Sequence, residues 1–351
     1  MTLCAIAASA TVTLADDAGL PGDQAREFLQ RRLDRSALPG DSRLDRRLSG
    51  GAVDGTVPVV VTPDGEQKAD FETSIGQWST WLAARDQKLI DEARALAPEG
   101  LELKAPKAAK ANRDVDVWTR GSLAPSTDLG EFYTSSVGAD VKVDSRLVIG
   151  GMVQMDRAKE LAAGTNALAD GEAYLAGPYM GLRVTDHITA GLTTAWGQGF
   201  DTIASGSNAY ALDTSRRITE AKVKGDWAVN EWRIAPVATF NLREETAGGS
   251  DTAASVSNRT VSVGPEVSRP YSLEDGTRIE PFARINGNLD LNALPETGST
   301  ALTGATSTGV GAGFTLSKPD EYTLRATTDL DGLGTDTDEV RAKLQLSVPL
   351  K

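Results

Sequence analysis

The sequence has one cysteine, one histidine and no long hydrophobic run, and each shortage excludes a class of protein. Cys4 lies in the opening apolar stretch, so the rest of the chain can form neither a disulfide nor a thiolate metal site. No apolar run reaches the roughly 18 residues that predict a membrane-spanning helix. The net charge of −13 argues against nucleic acid as a partner, because phosphates are bound by clustered Lys and Arg.

Chemistry-bearing motifs are also scarce. A Ser-His-Asp site needs a histidine, and His187 is expected at a tight turn, where an exposed polar role is the common one. The acidic stretch 329–339 resembles a calcium loop, but Val340 occupies the twelfth position, where a carboxylate is needed, so we interpret it as a hydrated surface loop. Phosphate loops, zinc clusters and dinucleotide motifs do not occur. The sequence therefore predicts no enzyme, no catalytic or cofactor-binding residue, no cofactor and no metal.

What the chain does contain is repeated apolar/polar alternation, which is the pattern of strands with two different faces. The last segment shows it clearly, with Val340, Leu344 and Val348 on one face and Arg341 and Gln345 on the other. Twelve strands are predicted from this pattern, at 115–124, 131–143, 146–156, 172–184, 187–198, 215–229, 231–243, 259–271, 277–289, 308–317, 321–330 and 339–350.

Tight and long connections alternate between these strands. Gly, Pro, Asn and Asp mark tight turns at 144–145, 185–186, 230, 274–276 and 318–320. Longer loops, rich in Gly, Ser, Thr and Asp, are predicted at 157–171, 199–214, 244–258, 290–307 and 331–338. Short turns on one rim and long loops on the other are typical of an outer-membrane β-barrel of Gram-negative bacteria.

Charged residues on the face opposite the apolar one favour a hydrated interior, since a dry core would not tolerate them. In the strand at 231–243 we expect one set to face lipid, namely Trp232, Ile234, Pro236, Ala238, Phe240 and Leu242, and another to face inward, namely Arg233, Thr239, Asn241 and Arg243. In the strand at 215–229 the expected outward set is Thr219, Ala221, Val223, Trp227 and Val229, and the inward set is Glu220, Lys222, Lys224 and Asp226. A soluble secreted β-sandwich with every strand turned over shows the same alternation, so it stays an alternative.

Three segments precede the predicted barrel at 115–351. Residues 1–15 are apolar and end in small residues, as a signal peptide does. Residues 16–66 are polar, so we expect disorder or a short passenger-like segment, and Pro58 would restrict a strand at 57–61 to a sheet edge. Residues 67–97 show helical spacing of apolar residues, which predicts an amphipathic helix, followed by a basic linker that completes the region 67–114.

The chain resembles the C-terminal translocator domain of autotransporters. The matching features are Asp116-Val117-Trp118-Thr119-Arg120-Gly121, the Gly-rich segments 138–141 and 309–314, and the closing strand 340–350. The resemblance covers residues 112–351, with Lys351 at the end where the family usually has an aromatic residue. It implies a monomeric twelve-stranded transmembrane barrel whose lumen holds a preceding helix or linker, inserted by the barrel-assembly machinery.

Three functions remain open on this basis. The leading expectation is an outer-membrane barrel, in contact with lipid, that anchors and translocates a short N-terminal segment to the cell surface. The alternatives are a porin-like channel or surface-loop adhesin without an exported passenger, and the soluble binding module. For the lumen, the basic linker at 101–113 is the candidate, since its Lys and Arg can pair with inward Asp and Glu, and a solvated linker is the alternative. The helix at 67–97 has an apolar stripe, which is expected to pack against another surface, in the periplasm or on a second helix, and not to lie in a water-filled pore.

Overall fold

The computed structural model describes residues 22–36, 38, 41–49, 56–61, 67–96, 114–126, 130–161, 168–205, 208–248, 254–292, 306–318, 321–333 and 339–349. Helices and a long series of strands make up almost all of this part of the chain. The helices are α1 (Gly22–Arg35), α2 (Asp41–Ser49) and α3 (Ile75–Leu96). The strands are β1 (Thr56–Val61), β2 (Gln67–Ser74), β3 (Val115–Ser126), β4 (Gly130–Lys142), β5 (Leu147–Leu161), β6 (Leu168–Arg183), β7 (Ile188–Ser205), β8 (Asn208–Gly225), β9 (Trp227–Val229), β10 (Trp232–Gly248), β11 (Ser255–Ser268), β12 (Tyr271–Ser272), β13 (Arg278–Asp290), β14 (Thr306–Lys318), β15 (Tyr322–Leu333) and β16 (Glu339–Pro349).

The strands form one antiparallel sheet whose pairings return to their starting point. The order runs β11-β10-β8-β7-β6-β5-β4-β3-β2-β1-β16-β15-β14-β13, and β13 pairs in turn with β11. The short strands β9 and β12 pair with β10 and β13 at one rim. The ring thus consists of β1–β8, β10, β11 and β13–β16, which are fourteen strands among the described residues. A ring leaves no unpaired edge along its wall.

The predicted number of twelve strands is therefore wrong by two. All twelve predicted strands are present as β3–β16, with β8/β9 and β11/β12 each predicted as one strand. The two further strands, β1 and β2, lie between β3 and β16. The expectation that Pro58 restricts β1 to a sheet edge is wrong for the strand as a whole, because β1 pairs with β16 on one side and with β2 on the other. At Pro58 itself only one side is paired, since Pro58 lies opposite Ser347 of β16 and β2 pairs only with Val59–Val61.

The two faces of the sheet carry opposite chemistry, as the alternation predicts. Large apolar side chains are exposed on the outer face, including Val137 (55%), Val263 (55%) and Leu344 (45%). The residues expected to face outward in β10 and β8/β9 follow this pattern, since Trp232 and Val223 are both 48% exposed. The inner face carries buried charged residues, which are described below. The exterior is thus apolar and the inner face carries the buried charges, whereas a soluble sandwich has an apolar interior and a charged exterior.

The strands are longer than predicted at the rim that carries the long connections. β7 ends at Ser205 and β8 begins at Asn208, so the predicted long loop at 199–214 is wrong and most of it is strand. At the other rim the predicted tight turns are confirmed at Asn230, with φ 57°, and at Gly276, with φ 81°. These left-handed conformations suit Asn and Gly. We call the two ends the tight-turn rim and the long-connection rim.

The N-terminal region differs most from its prediction. Disorder was expected for 16–66, yet α1, α2 and β1 are ordered elements of the structure, because the ring supplies the partners that the segment lacks by itself. The helix predicted at 67–97 begins only at Ile75, after β2, and α3 contacts β2 and β3. The linker at 101–113 and the signal peptide at 1–15 lie outside the described residues. No described helix has the length and apolarity needed to cross a membrane.

Candidate functional site: two helices inside the ring

The helices α1 and α2, which we call the plug, lie against the inner face of the ring. In α1, Ala25, Phe28, Leu29 and Leu33 recur at helical spacing and are fully buried. They pack on small and apolar inward residues near the long-connection rim, among them Phe132, Ala158, Ala169, Ile203, Leu212, Ala247, Ala254 and Val256. The apolar stripe of α1 therefore has a matching surface on β4–β11.

In α2, Leu44 and Leu48 lie one turn apart and are also buried. They belong to a second cluster whose wall residues are Trp118, Val148, Met152, Leu175, Tyr179, Ala195 and Ile218. Gly181 of β6 lies directly beneath Leu44, because a Cβ added at this glycine would come within 2.9 Å of Leu44 Cδ2. A larger residue at 181 would occupy the space that α2 fills.

A buried network of charges surrounds Arg32 of α1. Arg32 Nε donates to Asp156 Oδ1 at 2.9 Å, and Arg32 also bonds to Asp201. Arg216 of the wall donates to Asp156 Oδ2 at 2.6 Å and to Glu245 Oε2 at 2.7 Å. All five side chains have no exposed surface. Because two arginines face three carboxylates, each cation is needed to balance the wall.

A second network holds α2 through Arg43 and Arg47. Arg43 Nη2 lies 2.9 Å from Asp116 Oδ2 and 2.6 Å from Asp140 Oδ2, and Arg47 Nε lies 2.8 Å from Asp140 Oδ1. The guanidinium of Arg43 also lies 5.2 Å from the centre of the Trp118 ring. A planar fork that reaches two carboxylates fixes both the position and the rotation of the helix.

The wall also binds the C-terminal ends of both helices, where carbonyl groups lack helical partners. Arg243 Nη1 donates to the carbonyl oxygen of Asp34 at 3.0 Å, at the end of α1. At the end of α2, Lys142 Nζ donates to the carbonyl oxygen of Arg47 at 3.3 Å, and Arg183 donates to that of Leu48. These cations complement the negative ends of the helix dipoles.

The same contacts fix the direction of the chain through the ring. Arg31 of α1 pairs with Glu160, which lies next to the last residue of β5 at the long-connection rim. The end of α2 contacts Lys142 and Arg183, the last residues of β4 and β6 before tight turns. The plug therefore enters at the long-connection rim and leaves at the tight-turn rim, from which β1 begins.

The wall formed by β13–β16 is more open to solvent. Arg284 Nε donates to Asp329 Oδ1 at 2.9 Å and Arg325 Nη2 donates to Glu266 Oε2 at 2.8 Å. The side chains of Arg284 and Arg325 keep 30% and 34% of their surface exposed, whereas Arg32 and Arg216 keep none. Solvent thus reaches the inner face of β13–β16, and the plug covers the opposite side.

His187 and Asp329, which the sequence analysis considered for catalysis and for calcium binding, each have structural partners. His187 lies at a tight turn, with Nδ1 2.9 Å from the carbonyl oxygen of Asp226 and its ring stacked on Trp227. Asp329 is paired with Arg284, and residues 334–338 of the acidic stretch lie outside the described residues. Within the described part of the chain, no three His, Cys, Asp or Glu side chains form a group that could hold a metal.

The plug residues were missed at the sequence level, although one signal was present. Apolar residues at 25, 28, 29 and 33 follow helical spacing, and arginines recur between them. That pattern predicts an amphipathic helix with a cationic face.

Comparison with known proteins gives structural matches only. No protein-family model matches the chain, and no curated protein matches it. The chain is similar to the β domain of the Bordetella autotransporter BrkA, with 14% identity, a TM-score of 0.43, and coverage of 85% of this chain and 100% of that one. The chain resembles autotransporter β-barrels.

Two further solved structures are of the same kind. The translocator domain of the autotransporter NalP from Neisseria meningitidis has 13% identity and a TM-score of 0.43, covering 93% of this chain and 98% of that one. The transport unit of the autotransporter AIDA-I from Escherichia coli has 8% identity and a TM-score of 0.38, covering 94% and 98%. Sequence identities of this order do not carry a function from one protein to another.

Proposed function

We propose that this protein is an outer-membrane β-barrel of autotransporter type, which anchors an N-terminal segment in its lumen and presents that segment at the cell surface. The apolar outer face and the charged inner face support the membrane location, because lipid contacts the first and water or the plug contacts the second. A soluble sandwich would require the apolar residues inside. Val137, Val263 and Leu344 are instead exposed on the outside.

The direction of the plug is the observation that carries this proposal. In outer-membrane barrels the short turns face the periplasm and the longer loops face the exterior. Arg31 pairs with Glu160 near the long-connection rim, and Leu48 contacts Arg183 near the tight-turn rim. With that orientation, Gly22 lies toward the exterior, and whatever chain precedes it emerges at the cell surface.

Two partners follow from this proposal. Lipid surrounds the outer face, and the barrel-assembly machinery inserts the ring, since an incomplete wall would expose unpaired backbone groups to hydrocarbon. We propose a monomeric barrel, since the pairing of β11 with β13 lets one chain complete the wall.

An epitope inserted after Leu20 tests the proposal. Antibody should bind this epitope on intact cells as strongly as it binds one inserted at residue 250, in the β10–β11 connection. An epitope after Asp186, in a tight turn, should become accessible only after the outer membrane is permeabilised. If the epitope after Leu20 behaves like the one at Asp186, the N-terminal segment is periplasmic and the proposal fails.

A channel is the second candidate, favoured by the solvent-exposed ion pairs on the inner face of β13–β16. Arg284 with Asp329 and Arg325 with Glu266 leave a hydrated surface beside the plug. If transport of small solutes is the function, the intact protein should conduct ions steadily in planar bilayers. Conductance that appears only when residues 22–49 are deleted would favour the anchoring function.

A further inference from the structure

The buried network around Arg32 contains one negative charge more than its cations can balance. Arg32 of α1 and Arg216 of β8 are its two cations, and its three carboxylates are Asp156, Asp201 and Glu245. None of the five side chains has exposed surface. An uncompensated buried charge is so costly that the group becomes neutral instead. The charge count therefore indicates that one of the three carboxyl groups carries a proton.

The other charged groups near α1 do not supply a third cation to this network. Arg31 and Arg35 both pair with Glu160, and Arg31 also pairs with Glu27. These two cations face two carboxylates, so this group is balanced by itself. Arg243 of β10 donates to carbonyl oxygens at the end of α1. Among the described residues, the network thus keeps its excess negative charge.

The neighbouring inward positions of β6 and β7 add no charge either, because they are glycines. A Cβ at Gly171 would lie 2.0 Å from Asp201 Oδ1, and a Cβ at Gly199 would lie 3.3 Å from Glu245 Oε1. The missing side chains leave the space that the carboxylates occupy. The network is therefore closely packed against the backbone of the wall.

Asp201 is the carboxyl group with the fewest donors. Asp156 accepts hydrogen bonds from both arginines, at 2.9 Å from Arg32 Nε and 2.6 Å from Arg216 Nη1. Glu245 accepts two bonds from Arg216, at 3.0 and 2.7 Å. Asp201 accepts a bond from Arg32 at Oδ1, and its buried Oδ2 has no hydrogen-bond partner among the described residues. Because bonds from cations stabilise an anion, Asp201 is the group that is stabilised least as a carboxylate.

We propose that Asp201 holds a proton while the plug is docked, and that loss of this proton loosens α1. As a neutral carboxyl group, Asp201 still accepts the bond from Arg32, and the two arginines balance Asp156 and Glu245. When the plug leaves, water reaches Asp201 and takes up the proton. Docking therefore binds one proton, so it weakens as the pH rises. This inference goes beyond the proposed function and does not depend on the membrane location, because the network lies inside the ring.

The labelling rate of a cysteine in α1 measures this pH dependence. Leu29 has no exposed surface, so a Leu29→Cys variant in a Cys4→Ser background reacts with a water-soluble maleimide only when the plug opens. The rate in detergent micelles, from about pH 5 to about pH 8, is divided by the rate of the denatured protein at the same pH, which removes the titration of the thiol. The normalised rate should rise with pH, by at most about tenfold per pH unit, since one proton is released. A rate that is independent of pH would contradict the inference.

The variant Asp201→Asn distinguishes a neutral Asp201 from an ionised one. The amide keeps the shape of the side chain and an oxygen that accepts the bond from Arg32, but it does not titrate. The normalised rate of this variant should be independent of pH and, at the upper end of the range, lower than that of the parent. If Asp201 is an ionised partner of Arg32, the same change breaks a buried ion pair and should raise the rate by about a hundredfold or more at every pH. That result would overturn the proposal.

The matched control is Asp140→Asn in the network of α2. There Arg43 and Arg47 face Asp116 and Asp140, so two cations meet two carboxylates and no proton is needed. This variant should keep the pH dependence of the parent. Loss of the pH dependence here as well would show that it does not arise at Asp201. His187, the one histidine of the chain, is unchanged in both variants and cannot cause a difference between them.

Infrared spectroscopy of the parent detects the proton itself. A protonated carboxyl group has a C=O stretching band that is separate from the bands of carboxylates. This band should be present near neutral pH, decline with rising pH in parallel with the release of the plug, and be absent from Asp201→Asn. A parent spectrum without the band near neutral pH, or a band that persists in Asp201→Asn, would contradict the assignment of the proton to Asp201.

Discussion

Replacing Arg32 by Ala should release the plug from the lumen. The guanidinium is fully buried and lies between Asp156 and Asp201, so its removal leaves the three buried carboxylates of the network, those two and Glu245, with Arg216 as the one cation of that network among the described residues. Removing one partner of a buried ion pair typically costs about 3–5 kcal/mol. At 1.4 kcal/mol for each factor of ten, the equilibrium between docked and released plug should shift by about a hundred- to a few thousand-fold.

The rate at which a buried cysteine reacts measures this shift. Leu29 lies in α1 with no exposed surface, and a Leu29→Cys variant with Cys4 replaced should react with a water-soluble maleimide only when the plug opens. In that background, Arg32→Ala should raise the rate by the factor above, and Arg26→Ala, on an exposed position of the same helix, should change it by less than about threefold, as surface substitutions usually do.

A second substitution tests the cause of the release. Adding Asp201→Asn to Arg32→Ala should recover part of the loss, because it removes one of the unpaired carboxylates. Arg32→Lys keeps the charge but loses the planar fork, so it should fall between Arg32→Ala and the parent. If Arg32→Ala labels no faster than Arg26→Ala, the charged network does not hold the plug, and the reasoning is refuted.

Three other predictions concern the seat of α2, the outer face and a tight turn. Gly181→Leu should displace α2 and give ion conductance in planar bilayers, whereas Gly151→Leu, on the outer face with 3.9 Å to its nearest neighbour, should leave the bilayer sealed. Val137→Lys should lower the free energy of unfolding in lipid by about 2–4 kcal/mol, and Val143→Lys, beyond the end of β4 at the rim, by about 0–1, as measured by denaturant titration of heat-modifiable gel mobility. The Asp275 carboxylate accepts hydrogen bonds from the backbone N–H and the hydroxyl of Thr277. The backbone bond first, and the hydroxyl bond second, lower the pKa of Asp275 below its ordinary value of 3.8. A carboxylate whose pKa is lowered by folding stabilises the folded state at any pH above its unfolded-state pKa, and this stabilisation is lost as the pH falls through its folded-state pKa. The turn should therefore weaken only in strong acid. Carboxyl chemical shifts in detergent micelles should give the midpoint, and a value at or above 3.8 would contradict this.

The strands were readable from the sequence because their information is local. Alternation with a period of two assigns each residue to a face, and this was sufficient to place Trp232 and Val223 outside and Arg243 inside. The short hairpin β1–β2 could not be read in the same way. Six residues that include Pro58 do not distinguish an isolated strand from a member of the ring, and its neighbours, β3 and β16, are distant in the sequence.

The plug was not readable because its stability depends on distant residues. Burial of Arg32 is unfavourable without carboxylates to balance its charge, and the segment that contains it does not supply them. The balancing residues, Asp156 and Asp201, lie 124 and 169 residues later. The sequence predicts inward-facing Asp and Glu for the wall, but it points to the basic linker at 101–113, and not to α1 and α2, for the cations that meet them. Only the folded ring brings Asp116 and Asp140 to the same arginine of α2.

The division between an apolar outer face in lipid and a hydrated inner face is the claim on which the other conclusions depend. Adjacent cysteines at Leu344 and Gln345 of β16, each labelled with a fluorophore in reconstituted vesicles, test it most directly. We predict that brominated lipid quenches the label at Leu344 and that iodide in the water quenches the label at Gln345. Equal responses at the two positions, or the reverse pattern, would contradict the membrane barrel.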